Sequence, residues 1–141
     1  KVVCAMSSNA VVFAKSGVTV GIGTGQQDSL SAAEVARDRA YRNLADRIAL
    51  RRLNVLFSAI EDRVTAGNIM ADVQELSGGL MGSVMASDAF FPIPDCAQVG
   101  VSEHVAGIIQ PGGSVNDHLV IQACNKAGVP MVFTGQRSFV G

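Results

Sequence analysis

The sequence predicts an α/β fold in three α/β/α layers, with a mixed sheet and helices on both of its faces. Three observations lead there. Short β-branched runs alternate with longer stretches of helical periodicity, glycine or proline punctuates most changes between them, and the first two runs are joined by a two-residue Ser-Gly turn.

The elements follow in order. NAVVFAK (9–15) and VTVGIG (18–23) flank Ser16-Gly17, and Gly17 can take the positive φ a hairpin turn requires. GTGQQDS is a glycine-rich connection. From Leu30 to about Leu53, Ala36, Ala40, Leu44 and Ile48 recur at helical spacing. Arginines and acids fill the other faces, and Asp28 or Ser29 supplies the N-cap. Residues 55–76 read as an interrupted helix weakened at Gly67. SGGLMG ends it, and SVMASDAFF begins a buried strand. A helix over about 96–106 and a strand over 106–111, stopped by Pro111, come next. Ser114 then caps a helix with Asp117 three residues on, and Gly128 closes that helix at C′. VPMVFTG is the last strand.

Bulk properties narrow the function classes. A chain of 141 residues, 48% apolar and 16% charged, is long enough for one domain, residues 1–141, with a real core. A net charge of −1 without a basic run argues against a nucleic-acid binder. No apolar stretch reaches the ~18–20 residues that span a bilayer, and no signal pattern opens the chain, so no membrane partner is expected. Three cysteines (Cys4, Cys96, Cys124) in a chain this size point to reduced thiols and a cytoplasmic protein.

The motifs divide into weak and open ones. GIGTGQQ lacks the third glycine of a dinucleotide fingerprint and follows a hairpin strand, so nucleotide-cofactor binding is not supported. His104 and His118 have no metal-ligand spacing, Cys96 has no cysteine partner at the deaminase spacing, and no metal is expected. No nucleophile elbow is present. In QPGGSVND, Gly112 and Gly113 either aim backbone N–H groups at an anion or simply allow a tight turn. Arg137, beyond the last strand, either clamps a phosphate or carboxylate or sits exposed in a turn. In SDAFFPIPDC (87–96), adjacent phenylalanines in a strand would point to opposite faces. One then packs into the core, and the other meets a second layer or lines a cleft stiffened by Pro92 and Pro94.

SNAVVFAK, VTVGIGTGQQD, VMASDAFFPIPD and IIQPGGSVNDHLVIQACNKAGVPMVFTGQRSF together, in that order, resemble the last part of the AICAR transformylases, purine-biosynthesis enzymes often fused to IMP cyclohydrolase. The resemblance covers nearly the whole chain. It implies a cytidine-deaminase-like fold and correspondence to the second of two such repeats, without a metal. It implies a formyltransferase in IMP biosynthesis, moving formyl from 10-formyltetrahydrofolate as co-substrate to the 5-amino group of AICAR. Such chemistry needs a base, an acid and stabilisation of an oxyanion. By the same resemblance Asn9 is the catalytic residue that orients substrate. Phe90, Arg137, Gly112 and Gly113 bind AICAR, with Phe90 on its ring, Arg137 on its phosphate and Phe91 in the core. Asp28, Ser29, Pro92 and Asp95 lie by the folate. A homodimer, or association with a first-repeat polypeptide, is implied too.

The departures are local. The family's catalytic lysine–histidine pair lies in the first repeat, outside this chain. CAMSSN places Cys4, Ala5 and Ser7 where relatives usually have cations, Ser29 stands in an arginine's place, and Val140 and Gly141 replace a basic end. Two functions follow as alternatives: half of a formyltransferase that needs its partner repeat, or a catalytically inactive nucleotide-binding or oligomerisation module.

Overall fold

The computed structural model describes residues 1–136. Two strands, β1 (Val11–Lys15) and β2 (Val18–Gly23), form the hairpin, with Ser16 and Gly17 both at positive φ in its turn. Helix α1 (Ser29–Leu53) follows, and the Asp28 carboxylate caps it by accepting the Ser31 N–H. Then come α2 (Arg63–Glu75), β3 (Val84–Ser87), α3 (Pro94–Ser102), β4 (Gly107–Gln110), α4 (Asp117–Ala127) and β5 (Met131–Phe133).

The five strands are ordered β2-β1-β3-β4-β5. β1 is antiparallel to both neighbours, so β2, β3, β4 and β5 all run one way. Three crossovers therefore link parallel strands, each stepping in the same direction across the sheet. Since such crossovers are right-handed in nearly all proteins, α1, α3 and α4 must share one face. The core agrees. Val11, Phe13, Met85 and Ile108 from the sheet pack with Ala32, Ala36 and Ala40 of α1, Cys96 and Ala97 of α3, and Val120 and Cys124 of α4. The outer layer on the second face is thinner than expected. Among the described residues it is the N-terminal segment with its 3-10 turn Val3–Ala5, which brings Val3 and Met6 onto Val12, Ile22 and Ala86.

Alanine and glycine set how close α1 lies to β2. A Cβ at Gly23 would fall 2.0 Å from the Ala32 carbonyl oxygen, and one at Gly21 would fall 2.2 Å from that of Ala36. Beyond Ala40 the buried face of the helix packs on another helix. Ala45 and Ala49, with Leu44 and Ile48 partly buried beside them, pack on Ile69 and Val73 of α2 in a separate cluster.

Three expectations need correction. α4 begins at Asp117 behind Asn116 rather than behind Ser114, whose hydroxyl accepts the Asn116 N–H at 3.1 Å in the preceding turn. The segment 55–76 holds a 3-10 turn at Phe57–Ala59 and then α2, which runs through Gly67 unbroken because Asp62 caps it and Ile69 and Val73 anchor it. The strand expected through Phe91 stops at Ser87, where pairing with β1 ends at Val11. Both phenylalanines lie past it, so strand alternation does not separate them.

Candidate functional site

Parallel strands bring their C-terminal ends, and the loops that leave them, to one edge of the sheet, where ligands bind in open α/β folds. Here that edge gathers residues 24–28 after β2, 88–93 after β3, 111–116 after β4 and 134–136 after β5. The segment 7–10 entering β1 lies among them because β1 runs the other way.

Two buried polar side chains organise these loops. Asp88 is 2% exposed, and its carboxylate accepts the Ala10 N–H at 2.8 Å and the Ser8 hydroxyl, so it grips the chain on either side of Asn9. The Asp88 N–H donates in turn to the Ala10 carbonyl. Gln110, with no exposed surface, accepts the Phe91 N–H at 3.0 Å and the Gly112 N–H at 3.3 Å through one side-chain oxygen. It thereby joins the aromatic loop to the glycine pair. Unpaired, each of these buried amides would cost about 1–3 kcal/mol.

The residues singled out from the sequence sort as follows. The Asn9 side-chain amide donates to the Gln27 carbonyl at 3.0 Å, and its backbone pairs with Gln26, which ties the β1 entry to the loop after β2. Phe91 is fully buried and Phe90 only partly, and the Phe90 carbonyl accepts the hydroxyl of buried Ser29 at 3.1 Å. The Pro92 carbonyl accepts the Asn116 side-chain amide at 2.9 Å. Asn9, Phe90, Ser29, Pro92 and Gly112 are thus linked, directly or through Asp88 and Gln110, into one connected edge. Asp95 is set apart, exposed on the first turn of α3 in the groove between α3 and α1. Arg137 lies outside the described residues.

The anion cradle read from the glycine pair is not open. The Gly112 N–H goes to Gln110, while the N–H groups of Gly113 and Ser114 go to the Asp117 carboxylate at 2.8 and 3.1 Å. The chain's own acceptors already take those donors. Gly112 also needs its lack of side chain: at φ +74°, a Cβ there would sit 2.8 Å from the Phe133 ring.

Beside this edge is a cavity of about 150 Å³ whose lining includes Lys1, Cys4, Ser87, Asp88, Thr134 and Gln136. Drug-sized ligands occupy roughly 300–1,000 Å³. Burial pushes Cys96 up to about 11, with Asp28 and Asp95 adding to it, and burial raises Cys124 too, which favours the protonated thiol over the nucleophilic thiolate. The Ser31 backbone N–H and then its hydroxyl hold Asp28 below the usual carboxylate range. No cluster of potential metal ligands occurs among the described residues, and no helix there is long and apolar enough to cross a membrane.

Sequence reading missed Asp88, Gln110 and Asn116 as organisers. The available signal was a polar residue at the tip of an apolar strand, SVMAS-D and GII-Q, where a side chain must find a backbone partner or leave the core.

No protein-family model matches the chain. Among curated proteins it is similar to "Bifunctional purine biosynthesis protein PurH" from several bacteria. It is 39% identical to that of Ruegeria sp. (strain TM1040) over 140 residues, covering 99% of this chain and 21% of the relative. It is 38% identical to that of Thermoanaerobacter sp. (strain X514), covering 99% and 20%, and 35% identical to that of Aquifex aeolicus (strain VF5), covering 99% and 21%. The chain spans about a fifth of the length of these relatives. Among solved structures, Acinetobacter baumannii RibD, form 1, aligns with TM-score 0.50 at 12% identity over 93% of this chain and 30% of that one. That likeness concerns the fold alone, which is cytidine-deaminase-like.

Proposed function

The chain is related, over 99% of its length, to one segment of the PurH proteins, and on that premise we propose that it is the second-repeat half of a formyltransferase of purine biosynthesis. In this reading formyl passes from 10-formyltetrahydrofolate to the amino group of AICAR. The amine nitrogen bonds to the formyl carbon and loses a proton, and the folate nitrogen takes one up as it leaves.

One observation carries the reading. The kinship covers 99% of the chain, and the described parts of the loops bearing the family-like motifs meet at one sheet edge. Asn9, whose side-chain amide donates to the Gln27 carbonyl, orients the substrate amine in this reading. Phe90, whose carbonyl accepts the Ser29 hydroxyl, stacks on the heterocycle in this reading. Arg137 holds the phosphate. Gly112 and Gly113 contribute loop shape rather than anion contacts, since their amides are taken. Pro92, with Asp28 and Asp95 further out, belongs to the folate side.

The need for a partner is part of the proposal. A cavity of about 150 Å³ is too small for either ligand, and its described lining carries one lysine as cation. The test is formyl transfer to AICAR with and without a first-repeat polypeptide. Turnover is expected only in the mixture, and Arg137→Ala should weaken AICAR binding tens-fold or more. No turnover in the mixture would overturn the enzymatic half. Undetectable AICAR binding at millimolar ligand would then leave an oligomerisation role, as an inactive module.

A further inference from the structure

At the other side of the sheet, β2 is an edge strand. Its one sheet partner is β1, and among the described residues no backbone group outside the hairpin bonds to Val18–Gly23. The Arg39 guanidinium donates to the Ile22 carbonyl at 3.3 Å, which fixes Ile22 as a residue whose backbone groups face outward.

A groove runs along this edge between β2 and α1. It consists of two adjoining depressions of about 530 and 230 Å³ that share Thr19, Val20 and Asn43. Among the described residues Lys15, Arg39 and Arg47 line them, and no carboxylate does. Arg39, Asn43 and Arg47 are four residues apart on one helix, so they form a single stripe rising about 6 Å per step. Every second residue of an extended chain advances about 6.7 Å. The two repeats nearly match over this span, so alternate side chains of a strand laid on β2 would meet successive members of the stripe.

Self-pairing is disfavoured. A second copy docked β2 to β2 would bring two cationic stripes together without an intervening acid. We propose that the open edge of β2 and the Arg39–Asn43–Arg47 stripe form a docking groove for an extended acidic segment of another polypeptide, which adds to the sheet as a sixth strand. Main-chain hydrogen bonds to the β2 edge would supply affinity. Carboxylates four residues apart, facing Arg39 and Arg47 with an amide or hydroxyl between them for Asn43, would supply selectivity. The proposal does not depend on the formyltransferase reading, because none of the residues that carry that reading lines the groove.

The test uses the full 141-residue chain and three ten-residue β-forming peptides that differ only at the two charged positions: glutamate, glutamine or lysine. The glutamate peptide is expected to bind at least tenfold more tightly than the glutamine one and more weakly as salt rises. Amide hydrogen exchange should slow within residues 18–22. Arg39→Glu with Arg47→Glu should reverse the preference, so that the lysine peptide binds instead; this swap cannot come from simple misfolding. Three results would overturn the proposal: equal binding of glutamate and glutamine peptides, protection at β5 instead of β2, or loss of all peptide binding on self-association of the chain.

Discussion

The two ends of this sheet are closed by different means. At the C-terminal end, loops are fixed by almost wholly buried side chains: Asp88 holds the turn around Asn9, and Gln110 joins the Phe91 and Gly112 loops. At the hairpin end the ties are partly exposed. Lys15 donates to the Met81 carbonyl at 2.8 Å, and Tyr41 donates its hydroxyl to the Glu103 carboxylate. The contrast teaches where geometry is enforced. A buried polar group has no substitute partner and must be met in one arrangement, whereas an exposed one can exchange its partner for water. The loops that carry the proposed chemistry sit at the enforced end.

The largest effect should come from closing the gap between α1 and β2 where they approach that end. In Gly23→Ala the new Cβ would lie 2.0 Å from the Ala32 carbonyl oxygen, a backbone atom that moves only if the helix moves. Overpacking of this kind costs about 1–3 kcal/mol and more where the backbone must shift. Urea unfolding is expected to show a loss of about 3 kcal/mol or more. A loss below about 1 kcal/mol would mean that α1 floats over the strand, and the picture of a rigid end would fail.

Asp88→Ala comes next. It strands the Ala10 N–H in a buried place and frees the Ser8 hydroxyl, with an expected loss of about 2–3 kcal/mol. Hydrogen exchange should localise the loosening to residues 7–10. Global destabilisation with residues 7–10 still protected would show that the carboxylate does not hold that turn.

These two positions also show what could be read in the sequence. The hairpin, α1 and the Gly128 end of α4 rest on contacts between near neighbours: a two-residue turn, Asp28 on Ser31, and Gly128 on Asn125. Local chemistry of this kind is visible in a short window. Asp88 and Ala10 are 78 residues apart and Gln110 and Phe91 are 19 apart, so their bonds follow from strand order, which no window contains. The end of β3 was hidden for the same reason: β1, its partner, decides it, and the apolar run through Phe91 does not. The residues alone left open which phenylalanine packs inward; burial of Phe91 agrees with what the family resemblance implied, and the strand alternation used to separate it from Phe90 does not apply. The anion reading of Gly112 and Gly113 could not anticipate that Asp117 and Gln110 would claim their amides.

At the hairpin end the effect should be smaller and should depend on pH. Burial, followed by the hydrogen bond and the charge of Glu103, pushes the Tyr41 phenol up to about 12 from its ordinary 10. Folding thus favours the protonated phenol. Its contribution is complete below pH 10 and is lost as pH rises through 12. Tyr41→Phe is expected to cost about 1 kcal/mol at neutral pH, less than Asp88→Ala, because the pair is only partly shielded. It should also flatten the fall in melting temperature between pH 10 and 12. A loss equal to that of Asp88→Ala would erase the contrast between the two ends.

The smallest change supplies a baseline that belongs to neither end. Gly67 lies within α2, exposed, with nothing within 4 Å of where a Cβ would be, and its φ is ordinary for a helix. Alanine there meets no obstacle and removes freedom from the unfolded chain, so Gly67→Ala should stabilise by about 0.5–1 kcal/mol. Gly23→Ala and Gly67→Ala are the same chemical change. The first adds a methyl group against a carbonyl oxygen, the second adds one into solvent, so opposite signs would isolate packing from backbone entropy. If Gly67→Ala destabilised, residues 63–75 would be held in place by something other than their own helix, and the Ile69 and Val73 contacts with α1 would be the first place to look.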